Sequence, residues 1–240
     1  MRYSRPPMLN VSKIKAITLD LDDTLWPVEP TIVRAEQALA DWLAQYAPST
    51  FTLLSDSATR SQLRKAVNAA HPEVAHDFSA LRRAYLHRAL THAGDDPALA
   101  HPAFEVFFAE RQRVDLYPDA LAALAALATR FPVVAVSNGN ADVHRVGLGA
   151  YFVGSVSAQS AGVAKPHIDI FHAAARSVQC APDEVLHVGD DAHLDVLGAL
   201  DAGMQAAWIN RDAKVWSHVQ NPHLSIEDMA QLCAALGLRD

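Results

Sequence analysis

Three carboxylates, those of Asp20, Asp22 and Asp23, stand directly after an apolar run at residues 14–19, where a buried strand is expected to end. Side chains two residues apart on an extended chain point the same way and lie roughly 6 to 7 Å apart. Asp20 and Asp22 can therefore flank one reacting centre. One could attack phosphorus while the other protonates the leaving oxygen, as a nucleophile does beside a general acid/base.

Further polar residues follow two later apolar runs or lie between those runs. They are SNGN at 137–140, the pair Lys165-Pro166 and GDDAHLD at 189–195. Ligands of open α/β sheets lie outside the carboxyl ends of the strands, so we expect these residues to converge on one acidic pocket. Lys165 and the hydroxyl of Ser137 would hold the oxygens that carry charge during transfer.

Crowded carboxylates raise one another's pKa unless a positive charge joins them, and a divalent metal supplies that charge. Oxygen ligands with little His or Cys nearby favour Mg²⁺, which commonly bridges to a substrate phosphate. We therefore predict Mg²⁺ as cofactor and a small phosphorylated metabolite as partner. Zinc-type histidine spacing is absent, as are the GxGxxG, GxxxxGK[ST] and GxSxG motifs, which argues against nucleotide-cofactor enzymes and serine hydrolases.

Short apolar runs that alternate with helical patterns predict the fold that positions these residues. The expected strands lie at 14–21, 132–137, 184–189 and 204–210, and the expected helices at 120–130, 169–178 and 194–202. This alternation is typical of an α/β protein with a doubly wound, mostly parallel, Rossmann-like sheet.

Residues 28–112 interrupt the alternation with apolar residues at helical spacing only. We predict an inserted, all-helical cap domain of three or four helices at 28–112, and an α/β core at 1–27 and 113–240. Phe104, Phe107 and Phe108 are expected in the core of the insert rather than in a pocket.

Composition and charge restrict the classes of molecule that the protein can bind. The formal net charge is −7 and the Lys and Arg residues are scattered, which argues against binding to nucleic acid or to an anionic membrane. No apolar segment is long enough to span a bilayer, and Cys180 and Cys233 lack paired spacing, so we expect a cytoplasmic protein, monomeric or homodimeric, with reduced thiols that fill apolar space.

The motifs DLDDTLW, SNGN, Lys165-Pro166 and GDDAHLD resemble, in order and spacing, the four motifs of the haloacid dehalogenase-like (HAD) phosphohydrolase superfamily. The resemblance implies a HAD-like core and a hydrolase that works through an aspartyl-phosphate. It implies that Asp20 is the nucleophile and that Asp22 is the acid and then the base. The implied ligands of Mg²⁺ are Asp20, the main-chain oxygen of Asp22, and Asp190.

By the same resemblance, Ser137 and Asn138 bind the phosphoryl group and Lys165 neutralises its charge. Asp195 would support Lys165 or a metal-bound water, and the remaining supporting positions are Thr24, Gly139 and Asp191. The insert is similar in position to the helical cap of small-metabolite phosphatases. Longer stretches, SNGNADVHRVGLGAYF among them, resemble bacterial phosphatases that act on flavin mononucleotide and on the phosphorylated riboflavin precursor.

Other interpretations of the same residues stay open at this point. Sugar phosphates, nucleoside monophosphates or phosphoglycolate could be substrates, and a 2-haloacid dehalogenase, a phosphomutase or a non-catalytic phospho-switch could use the same framework. Asp191 could simply cap the helix that follows it, as Asp commonly does. Trp26 could lie beneath the site or only in the core.

Overall fold

The structure, a computed structural model, describes residues 8–238; the outermost parts of the predicted core, 1–7 and 239–240, lie outside them. The described chain forms two compact units. One consists of residues 8–27 and 115–238, and the other is Val28–Val114.

The first unit is built on a parallel six-stranded sheet. Its strands are β1 (Ala16–Leu19), β2 (Val133–Ser137), β3 (Gly154–Ser157), β4 (Val185–Gly189), β5 (Gln205–Ile209) and β6 (Leu224–Ile226). The order across the sheet is β3-β2-β1-β4-β5-β6, with every neighbouring pair parallel. The chain reverses its direction of winding between β1 and β4, which is where such sheets place their ligands.

Helices accompany these strands along the chain. The α-helices are α6 (Ala120–Arg130), α7 (Ala158–Ala161), α8 (Ile168–Ser177), α9 (Gly198–Asp201) and α10 (Met229–Ala235), and a π-helix covers Ala192–Leu197. Short 3-10 turns lie at Val11–Lys13, Gly149–Tyr151 and Pro182–Glu184. The predicted α/β class with a Rossmann-like sheet is confirmed.

Burial explains why these strands form. All residues of β1, β2, β4 and β5 are buried, as expected of parallel strands covered on both faces. On one face, Val134, Val136 and Val185 pack with Ile170 and Phe171 of α8. Since burial of apolar surface drives folding, these strands are the framework on which the polar strand ends are mounted.

The second unit consists of helices. They are α1 (Val28–Tyr46), α2 (Pro48–Ser55), α3 (Ser57–Ala70), α4 (Phe78–Ala93) and α5 (Ala100–Arg111), with 3-10 turns at Pro72–Val74 and Pro97–Leu99. Asp56 and Asp77 cap α3 and α4 by accepting bonds from Thr59 N and Ala80 N. Phe104 and Phe107 lie in the core of this unit and Phe108 packs against it, as predicted.

Several sequence predictions need correction. Three or four helices were predicted in the insert, and the structure has five α-helices there; α2 was missed because it is short and only Thr50 is buried in it. The strand predicted at 14–21 ends at Leu19, before Asp20. The helix predicted at 194–202 begins earlier, as the π-helix at Ala192–Leu197.

The strands β3 and β6 were also missed. Each contains polar residues and only a partly buried face, because each lies at an edge of the sheet. An edge strand does not need the continuous apolar run by which the inner strands were recognised. Among the described residues both cysteines are free thiols; Cys233 is buried and Cys180 is half-buried.

Candidate active site

The carboxyl ends of β1, β2 and β4 bring the predicted site residues to one edge of the sheet. Asp20 follows β1 and donates its main-chain N–H to Val188 O at 2.9 Å. Ser137 is the last residue of β2, and Asp190 follows the last residue of β4. The parallel register thus aligns residues that are far apart in the sequence.

Lys165 lies at the centre of this edge and is 4% exposed. Its Nζ donates to Asp20 Oδ1 at 2.5 Å and to Asp195 Oδ1 at 2.6 Å. One buried ammonium group therefore bridges two buried carboxylates. Since an unpaired charge is costly to bury, each of the three groups depends on the others.

The side-chain amide of Asn138 holds the main chain of Lys165. Its Nδ2 donates to Lys165 O at 3.0 Å and its Oδ1 accepts from Lys165 N at 2.7 Å. This double contact fixes the backbone from which the lysine side chain extends. Contact between Asn138 and a substrate stays a prediction, but its amide has a structural task that the motif alone did not reveal.

Ser137 is 4% exposed and its hydroxyl is oriented by the next turn of chain. Gly139 N donates to Ser137 Oγ at 2.9 Å. Because the hydroxyl oxygen accepts this bond, its own hydrogen is directed elsewhere and can be donated to an anion. The predicted supporting position Gly139 therefore acts through its main chain.

A buried chain of polar groups holds Asp195 from behind. His187 Nε2 lies 3.1 Å from Asp195 Oδ1, and Thr18 Oγ1 lies 2.8 Å from His187 Nδ1. An ionised carboxylate only accepts, so Nε2 carries the proton, and Nδ1 accepts from the Thr18 hydroxyl. Asp191 N donates to Asp195 Oδ2 at 3.0 Å. Both oxygens of Asp195 are thus engaged.

Sequence reasoning missed His187 and Thr18. Both lie inside apolar strands, His187 on β4 and Thr18 on β1, and the strand register places them side by side. A polar residue in the middle of each of two adjacent buried strands was the signal that could have found them. Burial lowers the pKa of His187 and keeps the imidazole neutral.

Gly189 is required by this arrangement. A methyl group at position 189 would overlap with the carboxyl group of Asp195, because the strand passes directly beside it. The close approach of Asp195 to the end of β4 is therefore possible only with glycine there.

Asp191 and Thr24 lie beside the site in supporting positions. Asp191 Oδ1 accepts from His193 N at 2.8 Å and from Leu194 N at 2.7 Å, which is the capping geometry considered from the sequence. Thr24 Oγ1 donates to Asp20 Oδ2 at 3.3 Å. Asp191 therefore starts the helix, and Thr24 contacts the predicted nucleophile.

The loop after β1 is also held from the end of β5. Arg211 donates to both carboxylate oxygens of Asp119, at 3.0 and 2.8 Å, and to Thr24 O at 3.0 Å. Asp119 Oδ2 also accepts from Met229 N, the first residue of α10, at 2.8 Å. A bidentate pair of this kind fixes direction as well as distance.

Asp22 is half-buried and is held by a neighbour in the sequence. Trp26 Nε1 donates to Asp22 Oδ1 at 2.8 Å, and the indole is completely buried. Asp23 N donates to Trp26 O at 2.7 Å, with Asp23 in the left-handed region at φ 58°. Trp26 therefore lies both beside the site and in the buried core, the two positions considered from the sequence.

The charges of the site do not balance on their own. Burial alone would lower the pKa of Lys165, but the two carboxylates raise it well above its usual value. Burial alone would raise the pKa of Asp195, but Lys165 and His187 hold it well below its usual range. Burial raises the pKa of Asp20 well above its usual value, because Lys165 offsets only part of that effect.

Asp190 adds a further carboxylate. Burial, together with the charges of Asp195 and Asp23, raises the pKa of Asp190 to about 7. Ligand oxygens of Asp20, Asp190 and Asp195 all lie within 4.8 Å of one another. Such an all-oxygen group fits a hard divalent cation, and a second positive charge would let Asp20 and Asp190 ionise at neutral pH.

The members of this cluster differ in their suitability as ligands. Asp195 accepts three hydrogen bonds of 3.1 Å or shorter, from Lys165, His187 and Asp191 N, whereas Asp20 Oδ2 accepts a longer one of 3.3 Å from Thr24, so Asp20 and Asp190 are better placed to bind a cation. Trp208 Nε1 donates to Asp190 O at 2.8 Å and fixes that residue's main chain. The residues present therefore fit a hard divalent metal ion.

Residues 14–203 match the haloacid dehalogenase-like hydrolase family. This chain belongs to that family. The predicted superfamily and the prediction of a hydrolytic enzyme are confirmed. Within residues 8–238, no helix of this hydrolase is long and apolar enough to cross a membrane.

Named relatives include phosphatases and a dehalogenase. The 5-amino-6-(5-phospho-D-ribitylamino)uracil phosphatase YigB of Escherichia coli is 36% identical to this hydrolase over 244 residues, which cover 98% of this chain and 100% of the relative. Phosphoserine phosphatase of Thermus thermophilus is 33% identical over 163 residues, covering 65% of this chain and 66% of the relative. The crystal structure of 2-haloacid dehalogenase from Pseudomonas syringae has a TM-score of 0.89 at 38% identity, covering 93% of this chain and 98% of that one.

Neutralising Asp190 should stabilise the metal-free hydrolase at high pH. The carboxyl pKa is about 7 when folded against 3.8 as its reference, so the folded state binds the extra proton and loses stability as the pH rises between these values. With a chelator at pH 8, Asp190→Asn should raise the unfolding free energy by about 2 kcal/mol, allowing for solvent screening of a half-buried group.

Urea unfolding at pH 5 and pH 8 measures this effect. At pH 5 the gain should shrink below about 1 kcal/mol, because Asp190 is then protonated in the folded state. Asp191→Asn is the control, since Asn caps a helix as well as Asp does. An equal effect of Asp190→Asn at both pH values would contradict the raised pKa.

A methyl group at position 189 should be poorly tolerated. Gly189→Ala places it against the Asp195 carboxyl group, so we expect a loss of about 2 kcal/mol or more in unfolding free energy. Gly154→Ala on β3 is the control, because nothing lies within 4 Å of a methyl group there. Similar urea midpoints for the two variants would show that β4 and Asp195 can separate without cost.

Proposed function

We propose that this hydrolase is a Mg²⁺-dependent phosphomonoesterase that works through an aspartyl-phosphate on Asp20. The observation that carries the proposal is the buried pairing of Asp20 with Lys165, beside a second carboxylate, Asp22, held two residues further on. An anionic nucleophile, a cation for the phosphoryl oxygens and a proton carrier are the groups that this reaction needs.

The steps follow from these groups. The Asp20 carboxylate forms a bond to phosphorus, and the bond from phosphorus to the ester oxygen breaks with its electron pair on that oxygen. Asp22 gives its proton to the leaving oxygen and then takes a proton from the water that hydrolyses the aspartyl-phosphate. Lys165 and Ser137 bind the non-bridging oxygens throughout.

Asp20, Asp190 and the main-chain oxygen of Asp22 would hold Mg²⁺, which, when bound, neutralises charge on the carboxylates and on the phosphate. The raised pKa values of Asp20 and Asp190 support this assignment, because the protein alone supplies one buried cation, Lys165, to the described site. Asp195 and His187 orient Lys165 and need not touch the substrate.

The named dehalogenase relative raises a second candidate, hydrolysis of a carbon–halogen bond. A halide leaves without a proton, so a carboxyl group at position 22 would serve no purpose in that reaction. In this chain Asp22 is present and is fixed by a 2.8 Å hydrogen bond from Trp26. The acidic cluster of Asp20, Asp190 and Asp195 also suits a metal-dependent phosphoryl transfer better. Both features favour the phosphatase.

For the substrate, we propose the phosphorylated aminoribitylaminouracil of riboflavin synthesis, with flavin mononucleotide as a related one. The support is the relative named for that phosphatase activity, which is 36% identical over nearly the whole chain. Sugar phosphates, nucleoside monophosphates and phosphoglycolate are the competing small phosphorylated metabolites.

Replacing the nucleophile should abolish turnover. Asp20→Asn keeps the shape of the side chain but removes the attacking charge, so phosphate release with Mg²⁺ should fall at least about 10³-fold. Asp23→Asn is the matched control from the same stretch, since Asn tolerates the left-handed backbone there, and it should stay within about 10-fold of wild type. Circular dichroism checks the fold; appreciable release by Asp20→Asn would sink the mechanism.

A substrate screen separates the remaining candidates. Phosphate release is measured for the riboflavin-precursor phosphate, flavin mononucleotide, sugar phosphates, nucleoside monophosphates and phosphoglycolate, with halide release from 2-haloacids alongside. We expect the highest kcat/KM for the first two, loss of activity with a chelator, and no halide. If the flavin-type phosphates rank last, the substrate proposal fails; halide release without phosphate release would overturn the phosphatase itself.

A further inference from the structure

The indole of Trp26 makes a contact that the reaction steps above do not use. Its Nε1 donates to Asp22 Oδ1 at 2.8 Å, and its ring is completely buried. An indole N–H only donates and cannot rotate its hydrogen away, so it imposes a direction on its acceptor. The bond therefore fixes the direction of the Asp22 carboxyl group.

The backbone makes this contact rigid. Asp22 and Trp26 form an isolated β-bridge, and Asp23 N donates to Trp26 O at 2.7 Å. Leu25 N donates to Leu21 O at 2.8 Å, and Tyr117 N donates to Leu25 O at 2.9 Å. The loop from Leu21 to Trp26 thus closes on itself and brings the buried indole of Trp26 against the carboxyl group of Asp22.

We propose that Trp26 is a positioning residue that orients the carboxyl group of Asp22 for proton transfer. The indole anchors Oδ1, so the carboxyl group keeps the orientation from which it gives its proton to the leaving oxygen. This inference rests on the proposed phosphatase function and goes beyond it by naming the residue that directs the general acid. Positioned proton transfer is sensitive to small displacements of the donor, so loss of the anchor reduces acid catalysis without removing the acid.

The dependence of the rate on the leaving group reports this role. An alkyl alcohol leaves only with a proton, whereas p-nitrophenolate leaves readily without one. Since kcat/KM covers the steps up to the departure of the leaving group, it isolates the acid role of Asp22 from its later role as a base. The two esters are glycerol 3-phosphate, as the alkyl phosphate, and p-nitrophenyl phosphate.

Trp26→Phe removes the N–H and keeps an aromatic ring. We expect kcat/KM for the alkyl phosphate to fall about 10-fold or more, and that for p-nitrophenyl phosphate to change by less than about 3-fold. Both esters are assayed on one preparation, so a smaller folded fraction lowers both values equally and leaves their ratio unchanged. Asp22→Asn gives the ratio expected when acid catalysis is lost entirely.

Two further proteins complete the test. Trp42→Phe is the control, because Trp42 lies in α1 and packs against the ring of Tyr46, so the ratio should equal that of wild type. If Trp26→Phe does not fold, 3-benzothienylalanine at position 26 keeps the ring shape and replaces N–H by sulfur, and the same change in the ratio is expected.

The outcomes separate the two proposals. Equal losses for both esters in the position-26 variants would overturn the positioning role and leave the phosphatase standing. Absence of phosphate release by the wild-type protein would overturn the proposed function and, with it, this inference. A selective loss for the alkyl ester supports both.

Discussion

The structure depends on one buried ammonium group shared by two buried carboxylates. Lys165 bridges Asp20 and Asp195, and each of these groups would be costly to bury without the others. An isolated surface ion pair contributes little to stability, but removing one partner from a buried group leaves a charge without compensation. The sheet edge is therefore organised around Lys165, and the residues that contact Lys165 hold its ammonium group in place.

The supports of Lys165 come from different parts of the sheet. Asn138 fixes its main chain, Asp195 accepts from its Nζ, and His187 and Thr18 hold Asp195 through the interior of β4 and β1. Gly189 allows this close packing. Lys165 itself lies in a turn ahead of α8, and these contacts tie that turn to β1 and β4, so the position of its ammonium group is fixed by the sheet.

Sequence reasoning identified the four inner strands, the order of the motifs and the residues at the strand ends, because long buried runs and clustered carboxylates leave a clear pattern. It missed β3 and β6, whose edge positions need no apolar run, and α2, of which only Thr50 is buried. It did not identify the contacts of His187, Asn138 or Trp26 within the site. Those contacts depend on strand register and on side-chain direction, and neither can be inferred from residue spacing.

The ion pair of Arg211 and Asp119 connects the C-terminal segment to the loop that carries Asp22. The first amide of α10, on Met229, donates to Asp119, which orients Arg211, which in turn holds the carbonyl of Thr24 in the loop that carries Asp22. A truncation that removed α10 would loosen this series of contacts by removing the main-chain donor to Asp119. The last helix therefore belongs to the catalytic scaffold, and engineered fusions should be joined beyond it.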